Sequence, residues 1–358
     1  MISDRALNRT LLRRQFLLDR VDRPALDVVE HLVGLQAQEP ADPYVALWDR
    51  IAGFDPAELA TAVATGDAVR IALQRSTIHL VSAADCAALR PVLQPALERM
   101  ARSSFGTRLA GVDQGELAEA ASVLVAERPL TFGELGRLLR ERWPERPEIA
   151  LAQTARALVP MVQLPPRGVW GRSGRALHGL AADRIDRPFA AGAAPDRLVL
   201  RYLAAFGPAT VADVQNWSGL TRLAEVVDRL RPRLRTDRAE DGRELLDLPD
   251  APRAEPDVPA PVRFLPQYDN VLLGHADRGR IVPVGATALF DEQFHWSPAL
   301  VDGMLRASWR LDRKAGVLHV RAPGLSGVER TAVAEEGLAL LGLLAPAAPE
   351  PDVVISAG

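Results

Sequence analysis

Apolar positions near the start of the chain recur at helical spacing. Leu7, Leu11, Leu12 and Leu18 fall on one side of a segment over 5–18 whose intervening positions are rich in arginine. A second helix is expected from Pro24 to Val33, with Leu26, Val28, Val29, Leu32 and Val33 apolar and Gly34 as its stop. Asp55-Pro56-Ala57-Glu58 opens another, with proline in the first turn and an acidic residue placed as in a capping box. From Ile71 to Ser82 the pattern changes to alternation, and Ile78, Leu80 and Val81 mark a strand.

Further along, a pattern repeats. Thr131-Phe132-Gly133-Glu134-Leu135 is a cap followed by a helix start, and Thr210-Val211-Ala212-Asp213-Val214 does the same 79 residues later. Each follows a helix (116–126 and 197–205) and precedes a turn and an amphipathic helix (149–161 and 221–230). A hairpin is expected after each: Val162–Ala176, with Gly168 and Gly174 at its turns, and Leu234–Leu248, with the turn signal Asp241-Gly242. Three helices and a hairpin make a winged helix-turn-helix unit, and residues 25–82 are a candidate third copy. Such units in tandem point to DNA.

Residues 249–261, rich in Pro, Asp and Glu, read as a linker. Beyond it strands are expected at 262–265, 281–284, 307–311 and 317–320. Asp312-Arg313-Lys314-Ala315-Gly316 turns between the last two, and a helix follows at 328–341. The expected class is α+β. Its divisions are an N-terminal unit (1–110), a second (111–192), a third with the linker (193–258) and a β-rich C-terminal domain (259–358).

Composition narrows the chemistry. No apolar run reaches membrane-spanning length, and Met1-Ile2-Ser3-Asp4-Arg5 is not a secretory signal. Cys86 is the only cysteine, so no internal disulfide can form and a reducing cytoplasmic setting is expected, near the nucleoid for a chain whose tandem units point to DNA. The net charge of −3 hides an acidic stretch: 236–257 carries eight acidic residues and three arginines, and the remainder holds 40 basic against 38 acidic. Lys314 is the only lysine. Arginine grips phosphate well, but it cannot serve as a Schiff-base nucleophile.

Metal, nucleotide and acyl chemistry find no support. His31, His79, His178, His275, His295 and His319 are not paired at zinc-site spacings, and there is neither a phosphate-binding glycine loop nor a Gly-x-Ser-x-Gly elbow. Gly34-Leu35-Gln36-Ala37-Gln38-Glu39-Pro40 is more informative. Residues two apart share a face in extended chain, so Gln36 and Gln38 should project together after the helix ends. Taken alone, they also fit two solvated loop residues.

Four segments in order then carry a resemblance. Gln36-Ala37-Gln38, Arg75-Ser76-Thr77-Ile78-His79-Leu80-Val81, Gln163-Leu164-Pro165-Pro166-Arg167-Gly168-Val169-Trp170-Gly171 and the stretch from Phe264 to His275 together resemble the AlkZ-like DNA glycosylases. The resemblance implies three tandem winged helices in a C-shaped array on a β-rich domain, and excision of bulky N7-alkylguanine adducts from duplex DNA. It implies that Gln36 and Gln38 are catalytic, on the Gln-x-Gln branch that resembles bacterial self-resistance enzymes, some of which unhook interstrand crosslinks.

The chemistry is coherent with two neutral amides. An N7-alkylated guanine is already cationic, so its glycosidic bond weakens without protonation by the enzyme. What remains is to place water against the sugar carbon and stabilise an oxocarbenium-like centre, and two amide oxygens accepting from one water are expected to do so. With one lysine, in an expected hairpin turn, the enzyme should be monofunctional and should need no cofactor.

Arg75, Thr77 and His79 are candidates for the DNA-facing surface beside the pair. Arg167, Trp170 and Arg172 lie on the expected first wing, and His275 and Arg278 in or beside the C-terminal signature. The expected partner is duplex DNA bearing alkylated guanine, bound by a monomer, with no membrane. A tandem winged-helix transcription regulator is the alternative, and a non-catalytic scaffold a third reading.

Overall fold

Helix α1 (Asp4–Arg14) starts at Ser3, whose side chain accepts from the Ala6 N–H, and it buries Leu7, Leu11 and Leu12. Its arginines hold the proline-rich stretch that reads as a linker. Arg5, Arg9 and Arg14 donate through Nε to the carbonyls of Pro256, Val258 and Pro252 at 2.9, 2.6 and 2.9 Å, and Arg13 to that of Arg253 at 3.1 Å. An extended, proline-rich strand cannot form a full ladder, so side-chain donors take up its carbonyls instead. The protein is described by a computed structural model covering residues 1–192, 194–286 and 296–357.

After α2 (Ala25–His31) the chain turns at Gly34 into the short strand β1 (Leu35–Gln36). It continues through α3 (Asp42–Trp48) and α4 (Pro56–Thr65) into β2 (Ala68–Ala72) and β3 (Ile78–Ser82). Gly34 has φ of +92°, and a Cβ there would lie 2.7 Å from a Val81 methyl, so both conformation and space demand glycine. The stretch 71–82, expected as one strand, is the end of β2, a tight turn and β3. Arg75 and Ser76 make that turn with φ of 53° and 57°, and no glycine or asparagine announces it.

The long helix α5 (Ala83–Phe105) leads to α6 (Gln114–Glu127), α7 (Phe132–Arg142) and α8 (Glu148–Leu158). Thr131 and Glu134 form the expected capping box at α7. The hairpin that follows differs from expectation. Its paired strands are β4 (Met161–Gln163) and β5 (His178–Leu180), and 164–177 is a loop whose Pro165 and Pro166 offer no N–H to a ladder. β4 also pairs with β2, so one five-stranded sheet runs in the order β1-β3-β2-β4-β5.

Next come α9 (Asp196–Phe206), α10 (Val211–Ser218) and α11 (Leu223–Leu230), with the expected box of Thr210 and Asp213 capping α10. The hairpin of β6 (Arg235–Arg238) and β7 (Glu244–Asp247) closes through Asp241-Gly242 as expected. Asp247 ends it in a sealed two-pronged ion pair with Arg14, at 2.6 and 3.0 Å.

The C-terminal part contains β8 (Arg263–Phe264), α12 (Asn270–Leu273), β9 (Ser297–Val301), β10 (Met304–Asp312), β11 (Val317–Arg321), α13 (Gly327–Leu344) and β12 (Asp352–Ser356). These strands form a second sheet, β12-β11-β10-β9-β8, packed against Val333, Leu340, Leu341 and Leu344 of α13. The strand expected at 281–284 is absent. Among the described residues only the Ile281 carbonyl meets a strand, through the Leu305 N–H; Pro283 has no donor and Val284 is fully exposed.

Candidate active site

Leu35 and Ala37 point into the core formed with Leu80 and helices α2–α4, so strand alternation turns Gln36 and Gln38 the other way. Their backbone is fixed from both sides: the Ala37 N–H donates to the Ile78 carbonyl at 2.8 Å, and Arg70 Nη2 donates to the Ala37 carbonyl at 2.7 Å. The C-terminal signature contributes here. Asn270 Nδ2 donates to the Gly34 carbonyl at 2.7 Å, and Asp269 pairs with Arg50 of the first unit at 2.7 and 2.9 Å, both side chains sealed from water. This segment therefore sets the turn from which the Gln motif departs.

Gln36 is 7% exposed and stands opposite His79 in the sheet. Its Oε1 accepts from Arg75 Nη2 at 2.8 Å, while Arg75 Nη1 reaches the Trp217 carbonyl of α10 at 2.8 Å. Gln38 is exposed, and its Oε1 accepts from the Ile78 N–H at 2.8 Å. Both amide oxygens, expected to share one water, thus already carry a protein donor, and each keeps one further lone pair.

Positive charge gathers beside the pair. Burial, and then the neighbouring Arg278, lower the Arg75 pKa to about 10, which leaves it charged at neutral pH. Arg278 itself is exposed. Burial, followed by Arg75, pushes His79 down to about 3; its Nδ1 lies 3.0 Å from the Thr77 carbonyl, and the ring is neutral. His79 and His275, expected on a DNA-facing surface, are both only 2% exposed. His275 lies under α10 with Nε2 3.0 Å from the Phe206 carbonyl. The half-buried Thr77 donates to the Gln74 carbonyl within the turn.

The remaining candidates sit on the loop 164–177. Half-buried Arg167 lies beside Arg70. Trp170 packs against Tyr44 with ring centres 4.7 Å apart and touches the cores of both the N-terminal and C-terminal parts. Exposed Arg172 joins Pro40, Tyr44, Trp170 and Arg313 around a cleft of about 550 Å³.

Sequence reasoning missed Asp42, four residues after Gln38. Burial, then Glu39 and Asp269, push its pKa up to about 8, and its Oδ2 is buried without a hydrogen-bond partner. Arg70 and Asn270 were also unassigned, since nothing local marks a residue whose partner is a distant carbonyl. Among the described residues no cluster of His, Cys, Asp or Glu could hold a metal; His295 lies outside them. No described helix is long and apolar enough to cross a membrane.

A family model described as "DNA glycosylase AlkZ-like" matches residues 29–343, which includes the Gln motif, the Arg75 turn and the Asp269–Asn270 segment. The chain belongs to the AlkZ-like DNA glycosylase family. The solved structure of the Streptomyces sahachiroi DNA glycosylase AlkZ superposes with a TM-score of 0.75 at 22% identity, covering 99% of this chain and 100% of that one. At that identity the likeness concerns the fold. A search of curated proteins finds no match. As an AlkZ-like enzyme the protein is a DNA glycosylase whose substrate is DNA, which sets aside the regulator and scaffold readings.

Proposed function

We propose that this glycosylase hydrolyses the N-glycosidic bond of N7-alkylguanine in duplex DNA, with Gln36 and Gln38 as the catalytic pair. One observation carries the reading: the two side chains presented at this site by β1 and the residues just after it are neutral amides, Gln36 held by the cation Arg75 and Gln38 by the Ile78 N–H. Amides neither donate a proton to a leaving base nor take one fully from water. They suffice only where the leaving group is already activated, as a cationic N7-alkylguanine is. Departure of the base leaves electron deficiency at the sugar carbon. Water held near Gln38 attacks there, losing its proton to solvent, and an abasic site remains in an uncut strand.

The three helix-and-hairpin segments are read as winged helices that hold the duplex, with a single chain per lesion. Exposed Arg172 and Arg278 supply phosphate contacts. Buried His79 and His275 act as framework instead. The same open chemistry extends to interstrand crosslinks between guanine N7 atoms, including those made by alkylating natural products. The test is incubation with duplexes carrying N7-methylguanine or a nitrogen-mustard crosslink. Free methylguanine in the supernatant and separated strands on a denaturing gel are expected; an intact monoadduct after prolonged incubation contradicts the reading.

A further inference from the structure

We propose that Arg75 is a positioning residue that turns the Gln36 amide oxygen inward and presents its NH2 group as a hydrogen-bond donor to the damaged nucleotide. The inference rests on the catalytic reading of Gln36 and changes which atom of that side chain works.

The polarity of the amide follows from what surrounds it. A guanidinium has five donors and no acceptor, so the atom of Gln36 that it meets at 2.8 Å must be the oxygen. The amide nitrogen then points away. It makes no hydrogen bond among the described residues and is not one of the buried unpaired atoms, so it reaches solvent although 93% of the residue is covered. A donor left open at the edge of an otherwise satisfied network is poised for a ligand acceptor.

Arg75 is itself held from several directions. Its second Nη binds the Trp217 carbonyl on α10, and the carbonyl of neighbouring Ser76 accepts from Arg156 of α8 at 3.1 Å. Gln74 anchors the same turn to the Val33 carbonyl at 3.0 Å, and the Leu73 N–H closes it on Thr77 at 3.1 Å. Two consecutive non-glycine residues in the left-handed region persist only under such over-determination. The turn that carries Arg75 is thus held by α8 and by the chain before β1, and α10 holds its guanidinium directly.

Its charge adds to the effect. Among the described residues no carboxylate pairs with Arg75; its acceptors are the two carbonyl oxygens. An unneutralised cation on the oxygen side polarises the amide and strengthens its N–H groups as donors. The acceptor such a donor suits is an oxygen or ring nitrogen of the nucleotide, whose electron density rises as the base departs.

The test compares single-turnover excision of N7-methylguanine at saturating enzyme, with duplex affinity measured alongside, for wild type, Gln36→Ala, Gln36→Glu, Arg75→Met and Arg75→Lys. Gln36→Glu keeps an oxygen for Arg75 but loses the NH2 group. It is expected to be as slow as Gln36→Ala, roughly a hundredfold below wild type. Arg75→Met should slow the saturated rate by roughly tenfold or more with affinity nearly unchanged, and Arg75→Lys should recover part of the rate. Wild-type speed in Gln36→Glu overturns the inference, because the oxygen is then the working atom. So does Arg75→Met if it weakens binding and leaves the saturated rate intact, as a phosphate contact would. Should Arg75→Met fail to fold, Gln36→Glu alone decides. A wild-type enzyme that releases no methylguanine defeats the catalytic reading instead, a separate result.

Discussion

Arg75 Nη2 lies 2.8 Å from Gln36 Oε1, and the direction of that bond decides which end of the glutamine is left open to solvent. The same guanidinium reaches α10 through the Trp217 carbonyl, so the strand that carries the motif and the third helical segment share one cation. A site built on neutral amides and a permanently charged arginine has no group of its own that must titrate near neutral pH.

The pH profile should therefore be flat. Single-turnover excision of N7-methylguanine is expected to change less than about threefold between pH 6.5 and 8.5, since neither Gln36 nor Gln38 gains or loses a proton there. Asp42, raised to about 8, provides the internal control. A limb near pH 8 that disappears in Asp42→Asn would show that this carboxyl takes part in the reaction.

Lys314 sits exposed in the β10–β11 turn, where its backbone N–H donates to Asp312. Borohydride added during turnover should trap no covalent complex, and the abasic product should stay uncut until an alkaline or enzymatic step is applied. A trapped adduct that persists in Lys314→Ala would point to the N-terminal amine.

Acid should destabilise the fold through its buried histidines. Burial first of all lowers His79 and His275 to about 3 and His178 to about 4. The native state then binds fewer protons than the unfolded chain, so this contribution is intact above about pH 6.5 and is lost as the pH falls towards the folded values. At pH 5 each histidine accounts for roughly 2 kcal/mol. Asp42 and Asp49, both raised by burial, slope the opposite way and weaken the fold as pH rises. Denaturant unfolding from pH 4.5 to 7 should show a shallower acid limb in His178→Gln, by about one proton; an unchanged slope contradicts the assignment.

Much of the helical frame could be read from the sequence because its signals are local. Thr131 with Glu134 and Thr210 with Asp213 are self-contained capping boxes, and Asp241-Gly242 declares its own hairpin. The Arg75–Ser76 turn has no such signal, since its left-handed geometry is held by Arg156, the Val33 carbonyl and the Trp217 carbonyl from elsewhere. Pro91 and Pro95 inside α5 likewise look like helix breakers, yet the helix runs through both. The spacing of Gln36 and Gln38 puts them on one face, and the family resemblance makes them candidates for the chemistry. The direction of their amides, the buried Asp42 and the clamp of Asn270 on Gly34 depend on contacts between segments far apart in sequence.

The Arg14–Asp247 pair ties α1 to the β6–β7 hairpin with neither side chain exposed. Asp247→Ala leaves a guanidinium buried without its counter-charge, which should cost about 3–5 kcal/mol and lower the denaturation midpoint accordingly. A shift below about 1 kcal/mol, the range of a surface pair, would mean that water reaches the site in solution.

The central claim is that this glycosylase excises N7-alkylguanine through its glutamine pair. It is tested most directly by single-turnover release of N7-methylguanine from duplex DNA by wild type and Gln38→Ala, with binding of the same duplex measured in parallel. Release by wild type is predicted, with a variant slowed by roughly a hundredfold whose affinity stays within about threefold. A variant that matches the wild-type rate, or one that loses binding in step with its rate, would contradict it.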